Sequence, residues 1–336
     1  MDASTDRHIV TLKDVALASG VSISTVSRIL DERTPASKSE TARRVRDTAD
    51  QLGYRRNVNA SSLRRGATGT IGVLVPRLTD TVMALMFEAV ENAARARGQF
   101  AVVATCGDDP DDERRATETL LDRGVDGLIL ATARLDDALP ASLRDRGIPH
   151  ALVLRTDGIS PSSLGDDEAG GYLAVRHLVD LGHRDIAVIT GPWFTSSARA
   201  RLAGAKRALE EAGITLADAD VISGGYGVDD GIAAGRQLLS GDDHPSAIFA
   251  ANDNVAIGVV SAAHSIGLAV GRDLSVVGYN DIPLAARLPV PLTSVRTPFE
   301  LIATTAMEFV LAPTRSTADI RKAMPTLIPR SSTSRV

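Results

Sequence analysis

The chain is short of the residues that staple small secreted folds and of those that fill aromatic cores. Cys106 is its one cysteine, so no internal disulfide can form and a disulfide scaffold is excluded. Aromatic side chains make up 3% of the 336 residues, and Trp193 is the only tryptophan. No apolar run approaches the roughly 20 residues that a membrane-spanning helix needs. The opening MDASTDRHIV has neither a basic n-region nor an apolar h-region, so no export signal is expected. A reducing cytoplasm is the expected location, with no membrane partner. The six histidines, His8, His150, His177, His183, His244 and His264, show no metal-ligand spacing. No GxSxG or P-loop string occurs, and Gly225, Gly227 and Gly231 form a GxGxxxG that misses the dinucleotide fingerprint. No cofactor, metal or catalytic group is therefore expected, and the chain reads as a binding protein, not an enzyme.

What is present is unevenly charged. Residues 1–66 carry 12 Lys and Arg against 8 Asp and Glu, whereas the rest of the chain carries 25 against 34. The net charge of −5 thus joins a basic head of +4 to an acidic body of −9. Such asymmetry points to a polyanion partner for the head.

From Thr70 onward short aliphatic runs alternate with helical stretches, the signature of a parallel sheet. TIGVLVP (70–76), FAVVAT (100–105), DGLILA (126–131) and HALVLR (150–155) form one set. DIAVIT (185–190), DVIS (220–223), SAIFAA (246–251) and LSVVGY (274–279) form another. Each half is expected to supply four strands, and two doubly wound lobes with a cleft between them follow. The polar C-terminal PRSSTSRV is expected to fray.

Before Thr70 no β run occurs and three short amphipathic helices can be drawn. Thr11 and Asp14 form a capping box for the first, whose apolar surface comes from Val15, Ala16 and Leu17. Ser22 caps the second, and the third runs over 39–52 with Val45, Ala49 and Leu52 on one face. Two short helices about a glycine turn make a helix-turn-helix. On the outer face of the second helix, Ile23 suits a thymine methyl, Ser24 can donate or accept, and Arg28 can grip guanine with two bonds. Ser22, Thr25, Ser27, Lys38 and Thr41 suit phosphate oxygens, and Thr11 joins this DNA-contact set.

The strings TLKDVALASGVSISTVSRIL, GYRRNVNASSLRRG and TGTIGVLVP resemble the head, hinge and first core strand of the LacI/GalR family of bacterial transcription regulators. The resemblance continues in order through GVDGLIL, LVDLGHRDIAVITGP, ARLAGAKRAL, FAANDNVAIG, LSVVGYNDIPLA and LTSVRTP. It implies an α/β protein with a three-helix DNA-binding head (9–56), a hinge (57–68) and a two-lobed core like that of periplasmic binding proteins (69–330). Lobe 1 would span about 69–165 plus 298–330, and lobe 2 about 166–297. Ile23 and Ser24 match base-reading positions and Arg28 a further basic contact. In the hinge, Asn57, Ala60 and Leu63 match a helix that forms on DNA, with Leu63 wedging into the minor groove. The chain departs from the family at Arg56, where a proline is usual, and at Lys38 and Ala42, where a serine and an arginine are usual.

The strand ends nominate the cleft walls. Asp80, Arg155, Trp193, Tyr226 and Asn252 combine aromatic faces with groups that pair hydroxyls, as a sugar asks. The resemblance adds Arg199, Asp253 and Asn280 as effector-binding positions, and places Leu154 where an effector-binding aspartate is common. The expected partners are double-stranded operator DNA, a small effector of the sugar class with a nucleobase as the alternative, and a second copy of the chain, with tetramers also open. A solute-binding protein shares the two-lobed body but lacks a basic head.

Overall fold

The computed structural model describes residues 10–30, 37–54, 67–241, 243–311 and 319–336. The chain divides into two compact units between Thr68 and Gly69.

In the first unit α1 (Leu12–Ser19), α2 (Ile23–Ile29) and α3 (Glu40–Gln51) close around Val15, Val26 and Val45, each fully buried. Burying each valine contributes about 1.5–3 kcal/mol, the main stabilisation available to so small a bundle. The Asp14 carboxylate accepts the Thr11 N–H at 2.8 Å and its hydroxyl at 2.7 Å. Gly20, with φ of 67°, turns the chain between α1 and α2. Ser22 Oγ accepts the Thr25 N–H at 3.2 Å and so starts α2. Arg44 Nε donates to the Ser19 carbonyl at 3.2 Å, tying α3 to the end of α1. Two expected core residues are out of place: Leu17 is 85% exposed, because it falls out of phase with Val15, Ala16 and Ser19 on the buried face, and Leu52, at the cap that ends α3, is exposed as well.

The second unit holds two six-stranded sheets. The first has the order β11-β5-β4-β3-β1-β2, from β1 (Thr70–Val75), β2 (Phe100–Thr105), β3 (Gly127–Leu130), β4 (His150–Val153), β5 (Ser162–Gly165) and β11 (Ile320–Ala323). Helices α4 (Thr81–Arg95), α5 (Pro110–Asp122), α6 (Leu139–Asp145) and α11 (Phe299–Leu311) belong to this lobe. The second sheet has the order β12-β10-β9-β8-β6-β7, from β6 (Ile186–Thr190), β7 (Val221–Ser223), β8 (Ala247–Ala250), β9 (Ser275–Asn280), β10 (Thr293–Arg296) and β12 (Thr326–Ile328). Its helices are α7 (Asp167–Asp180), α8 (Ser196–Glu211), α9 (Val228–Leu238) and α10 (Asp253–Ser265).

Among the described residues all strand pairs are parallel except β10 with β12. Helices α7 and α8 cross at backbone contact, since a Cβ on Gly171 would collide with the Arg201 carbonyl and one on Gly204 with the Glu168 carbonyl. That crossing brings the start of α7 against the side chain of Arg201.

Three expectations need correction. Among the described residues each lobe has six strands, not four, because the short segments SSLG, TSVR, IRKA and TLI pair through their backbones. The stretch 298–330 is not wholly in the first lobe, for the chain leaves after Ala323 and β12 pairs with β10. The C-terminus is not frayed. Ser332 is fully buried, its hydroxyl donating to the Val276 carbonyl at 2.6 Å and accepting the Thr293 N–H at 2.8 Å.

Candidate DNA-reading face and effector cleft

On α2 the inward side is Val26, and the outward side presents Ile23, 45% exposed, with Ser24 and Arg28 also exposed. Arg28 makes no ion pair with another described residue. Ser22 Oγ lies 2.8 Å from both Ser24 Oγ and Thr25 Oγ1, a small hydroxyl cluster at the start of the helix. Ser27 and Thr41 are half-buried, and Thr11 and Lys38 are exposed. Asn57, Ala60 and Leu63 lie outside the described residues.

Between the two lobes of the second unit lies a cleft at the carboxyl ends of the strands. Its outer compartment, about 420 Å³, is walled by Arg77, Asp80, Asp108 and Arg155 of the first lobe and by Phe194, Tyr226 and Asp230 of the second. That volume is in the range of small-molecule sites. A narrower inner compartment of about 30 Å³ shares Asp80, Arg155 and Tyr226 and adds Ser197, Arg201, Asn252 and Asn280.

Each wall residue is held by local structure. Asp80 caps α4, accepting the Val82 N–H at 3.0 Å, and receives Asn254 Nδ2 from the other lobe at 3.2 Å. Burial pushes its carboxyl above the usual range, although the Val82 N–H and the Arg155 charge oppose this. Arg155, 5% exposed, has its guanidinium 5.4 Å from the ring centre of Tyr226 and finds no hydrogen-bond acceptor among the described residues. A buried cation that opens only onto a cavity is set to take a ligand's oxygens. The Tyr226 hydroxyl lies 2.9 Å from Thr195 Oγ1 and 3.3 Å from Ser197 Oγ. Asn252 donates to the Tyr226 carbonyl at 3.0 Å while its Oδ1 caps α10. Asn280 accepts the Thr297 hydroxyl at 3.0 Å. Three residues at these strand ends have left-handed backbones, Leu154 with φ of 63°, Asn280 with φ of 94° and Asp281 with φ of 54°. Such conformations cost of order 1–3 kcal/mol and persist where the surroundings enforce them.

The structure brings Asp80, Arg155, Tyr226, Asn252 and Asn280 together and leaves three nominated residues apart. Trp193 is 47% exposed and lines neither compartment; its neighbour Phe194 does. Arg199 is exposed and donates to the Trp193 carbonyl at 2.8 Å. Asp253 is fully buried, accepting the Ser294 hydroxyl at 2.6 Å and the Ile282 N–H at 2.7 Å, and burial pushes its carboxyl up to about 7. It ties α10 to β10 and lines neither compartment.

The arginine that does reach the cleft is Arg201. Its Nε donates to Asp167 at 2.8 Å, another nitrogen donates to the Ala251 carbonyl, and the Tyr279 ring lies 3.7 Å away. Helical phase could have found it, since Ala198, Leu202, Ala205 and Leu209 define the buried face of α8 and Arg201 lies on it while Arg199 does not. Among the described residues no group of three or more His, Cys, Asp and Glu converges as a metal site would.

Comparison with known proteins decides the family. The model for bacterial regulatory proteins of the lacI family matches residues 11–57, and that for the periplasmic binding protein-like domain matches 175–333. The HTH-type transcriptional repressor PurR of Vibrio vulnificus is 31% identical, over 90% of this chain and 91% of its own length. The chain belongs to the lacI family of bacterial regulatory proteins. The ribose operon repressor of Escherichia coli is 34% identical over 90% of the chain and 92% of that protein. A lac repressor dimer bound to operator and the anti-inducer ONPF superposes with a TM-score of 0.86 at 30% identity, covering 97% of this chain and all of that one. The chain is thus a DNA-binding transcriptional regulator whose two-lobed unit takes a small effector, and its close relatives are regulators, not enzymes.

Proposed function

We propose that this chain is a repressor that acts as a homodimer on a pseudo-palindromic operator in the cytoplasm, with a neutral sugar in the cleft setting its operator affinity. It has no enzymatic activity in this reading. Ile23, Ser24 and Arg28 read base edges in the major groove, while Thr11, Ser22, Thr25, Ser27 and Thr41 contact phosphates. Asn57, Ala60 and Leu63 supply the hinge contact. Effector and DNA change each other's affinity by the same factor.

The observation that supports the sugar assignment is that Arg155 and Asp80 line both compartments of the cleft, with the Tyr226 ring beside them. A sugar hydroxyl can accept from the guanidinium and donate to the carboxylate, and its C–H face can stack on the ring. The other charges in the outer compartment favour a neutral ligand, because Arg77 is already paired with Asp108 and Asp230 adds a further acid. Isothermal titration calorimetry of the full chain against sugars, sugar phosphates and purines tests this. Binding of a neutral sugar, lost in Arg155→Met, is expected, and binding of purines alone would replace the sugar by a nucleobase.

A further inference from the structure

Beside the cleft, one segment of the first lobe is strapped to the second. Within residues 131–137, Arg134 stacks 3.6 Å over the ring of Phe194 and the Leu135 N–H donates to the Phe194 carbonyl at 2.9 Å. Both ends of this strap meet one carboxyl group, that of Glu113 on α5, which is 4% exposed. At the near end the Thr132 hydroxyl donates to Glu113 Oε1. At the far end Asp137 accepts the Leu139 N–H at 2.9 Å through Oδ1, while its buried Oδ2 has no donor among the described residues. That orphan oxygen belongs to a carboxyl within hydrogen-bonding reach of Glu113. Two carboxylates cannot bond each other, so the contact is satisfied only when one of them carries a proton.

We propose that Glu113 keeps its proton and donates it to Asp137, and that this bond holds the strap against Phe194, so that closure of the cleft weakens when the proton is lost. The proposal rests on the cleft's being the effector site, since Arg155, Asp108 and Phe194 line both the effector compartment and the small cavity beside Glu113. That cavity, about 10 Å³, has room for one water at most and gives a second carboxylate little solvation. Burial, with the Asp137 charge adding to it, pushes Glu113 up to about 7 against the pull of the Thr132 hydroxyl and Arg134.

The surrounding groups leave the proton to this pair. Arg134 is engaged by exposed Asp136 at 2.9 Å, with Arg199 beyond it, and Arg77 is taken by Asp108. Burial pushes the Cys106 thiol up to about 12, so it stays neutral. Asp112 on α5 and Arg155 at the end of β4 complete the charged set, and Phe194 faces it from the second lobe without charge.

A docked strap binds the proton more tightly than a released one. If release returns Glu113 to its ordinary value of 4.5, docking weakens by up to about tenfold from pH 6 to pH 8 and little further above that. Two ligand-free measurements on the full chain test this: the fluorescence of Trp193, next to Phe194, from pH 5 to 8.5, and hydrogen exchange at the Leu135 amide. The expected result is a fluorescence transition near pH 7 and about tenfold faster Leu135 exchange at pH 8 than at pH 6, beyond the increase shown by unstructured amides. Glu113→Gln, which keeps the Thr132 bond without the proton, should remove both effects, and Asp137→Asn should move the transition to lower pH. A histidine-driven transition would survive Glu113→Gln. Its survival there, or no transition in the parent chain, overturns the proposal. Should Glu113→Gln fail to fold, an unmoved midpoint in Asp137→Asn overturns it equally. No effector is used, so failure here leaves the sugar reading standing, and failure to find a sugar leaves this result readable.

Discussion

Asp167→Asn is the perturbation whose energetic consequence is best defined. The Arg201 guanidinium and the Asp167 carboxylate meet at 2.8 Å, and each side chain is 9% exposed. Unit charges about 4 Å apart interact by about 4 kcal/mol at an effective dielectric of 20. Removing one partner of a buried pair costs about 3–5 kcal/mol because the survivor stays desolvated. Asparagine keeps the shape and one acceptor but not the charge, while the Ala251 carbonyl and the Tyr279 ring only partly compensate Arg201. The second lobe of Asp167→Asn should therefore lose about 3–5 kcal/mol. Arg201→Met combined with Asp167→Asn removes the stranded cation and should recover most of that loss, at the expense of a cleft residue. Urea unfolding followed by Trp193 fluorescence reads this lobe directly, since Trp193 follows β6. A loss below about 1 kcal/mol in the single variant, or a double variant as unstable as the single, would refute an ion pair as the prop of this wall.

Other outcomes follow from the same physics. Arg28→Ala should cost about 1–3 kcal/mol at one base position per half-site, as measured by binding to operator variants; an equal loss on every duplex would make Arg28 a phosphate contact. Deleting residues 330–336 removes the bonds from Ser332 to Val276 and Thr293 and from Ser334 to Ser275, and should lower the thermal midpoint of the second lobe while DNA-free oligomer size stays unchanged. The folded-state value of Asp253, about 7, lies above the ordinary 3.8, so the folded chain binds the proton more readily than the unfolded one. Its contribution is fully present below about pH 4 and is lost as pH rises toward 7. Urea midpoints across that range should fall with rising pH, and less steeply in Asp253→Asn.

Much of this architecture is legible in the chain because burial and periodicity agree. In the head, Val15, Val26, Val45 and Ala49 lie on the inward faces of their helices and are buried. Six of the eight aliphatic runs became central strands, where both faces are covered and alternation is not needed, while FAVVAT and DVIS became the edge strands β2 and β7. Four strands escaped notice because SSLG, TSVR, IRKA and TLI earn their place through backbone pairing, which leaves no apolar run to read. The polar tail after Pro329 is ordered for the same reason, since serine hydroxyls and main-chain groups bond the start of β9. Within the cleft, residues fixed by a cap or a strand end, such as Asp80, Arg155 and Asn252, lie where their position in a βα unit puts them. Arg199 and Arg201 are two residues apart on one helix, and only the phase of the buried face separates them. Trp193 and Phe194 are adjacent in a loop, where no periodicity says which ring turns inward.

The most direct test of the account is an in vitro selection of the full chain on a pool of random DNA duplexes, repeated with the calorimetrically identified sugar present. The account predicts enrichment of one pseudo-palindromic site whose affinity changes by the same factor that the DNA imposes on the sugar, and loss of that change in Arg155→Met. Failure to enrich any sequence, or an operator affinity indifferent to every ligand that enters the cleft, would contradict it.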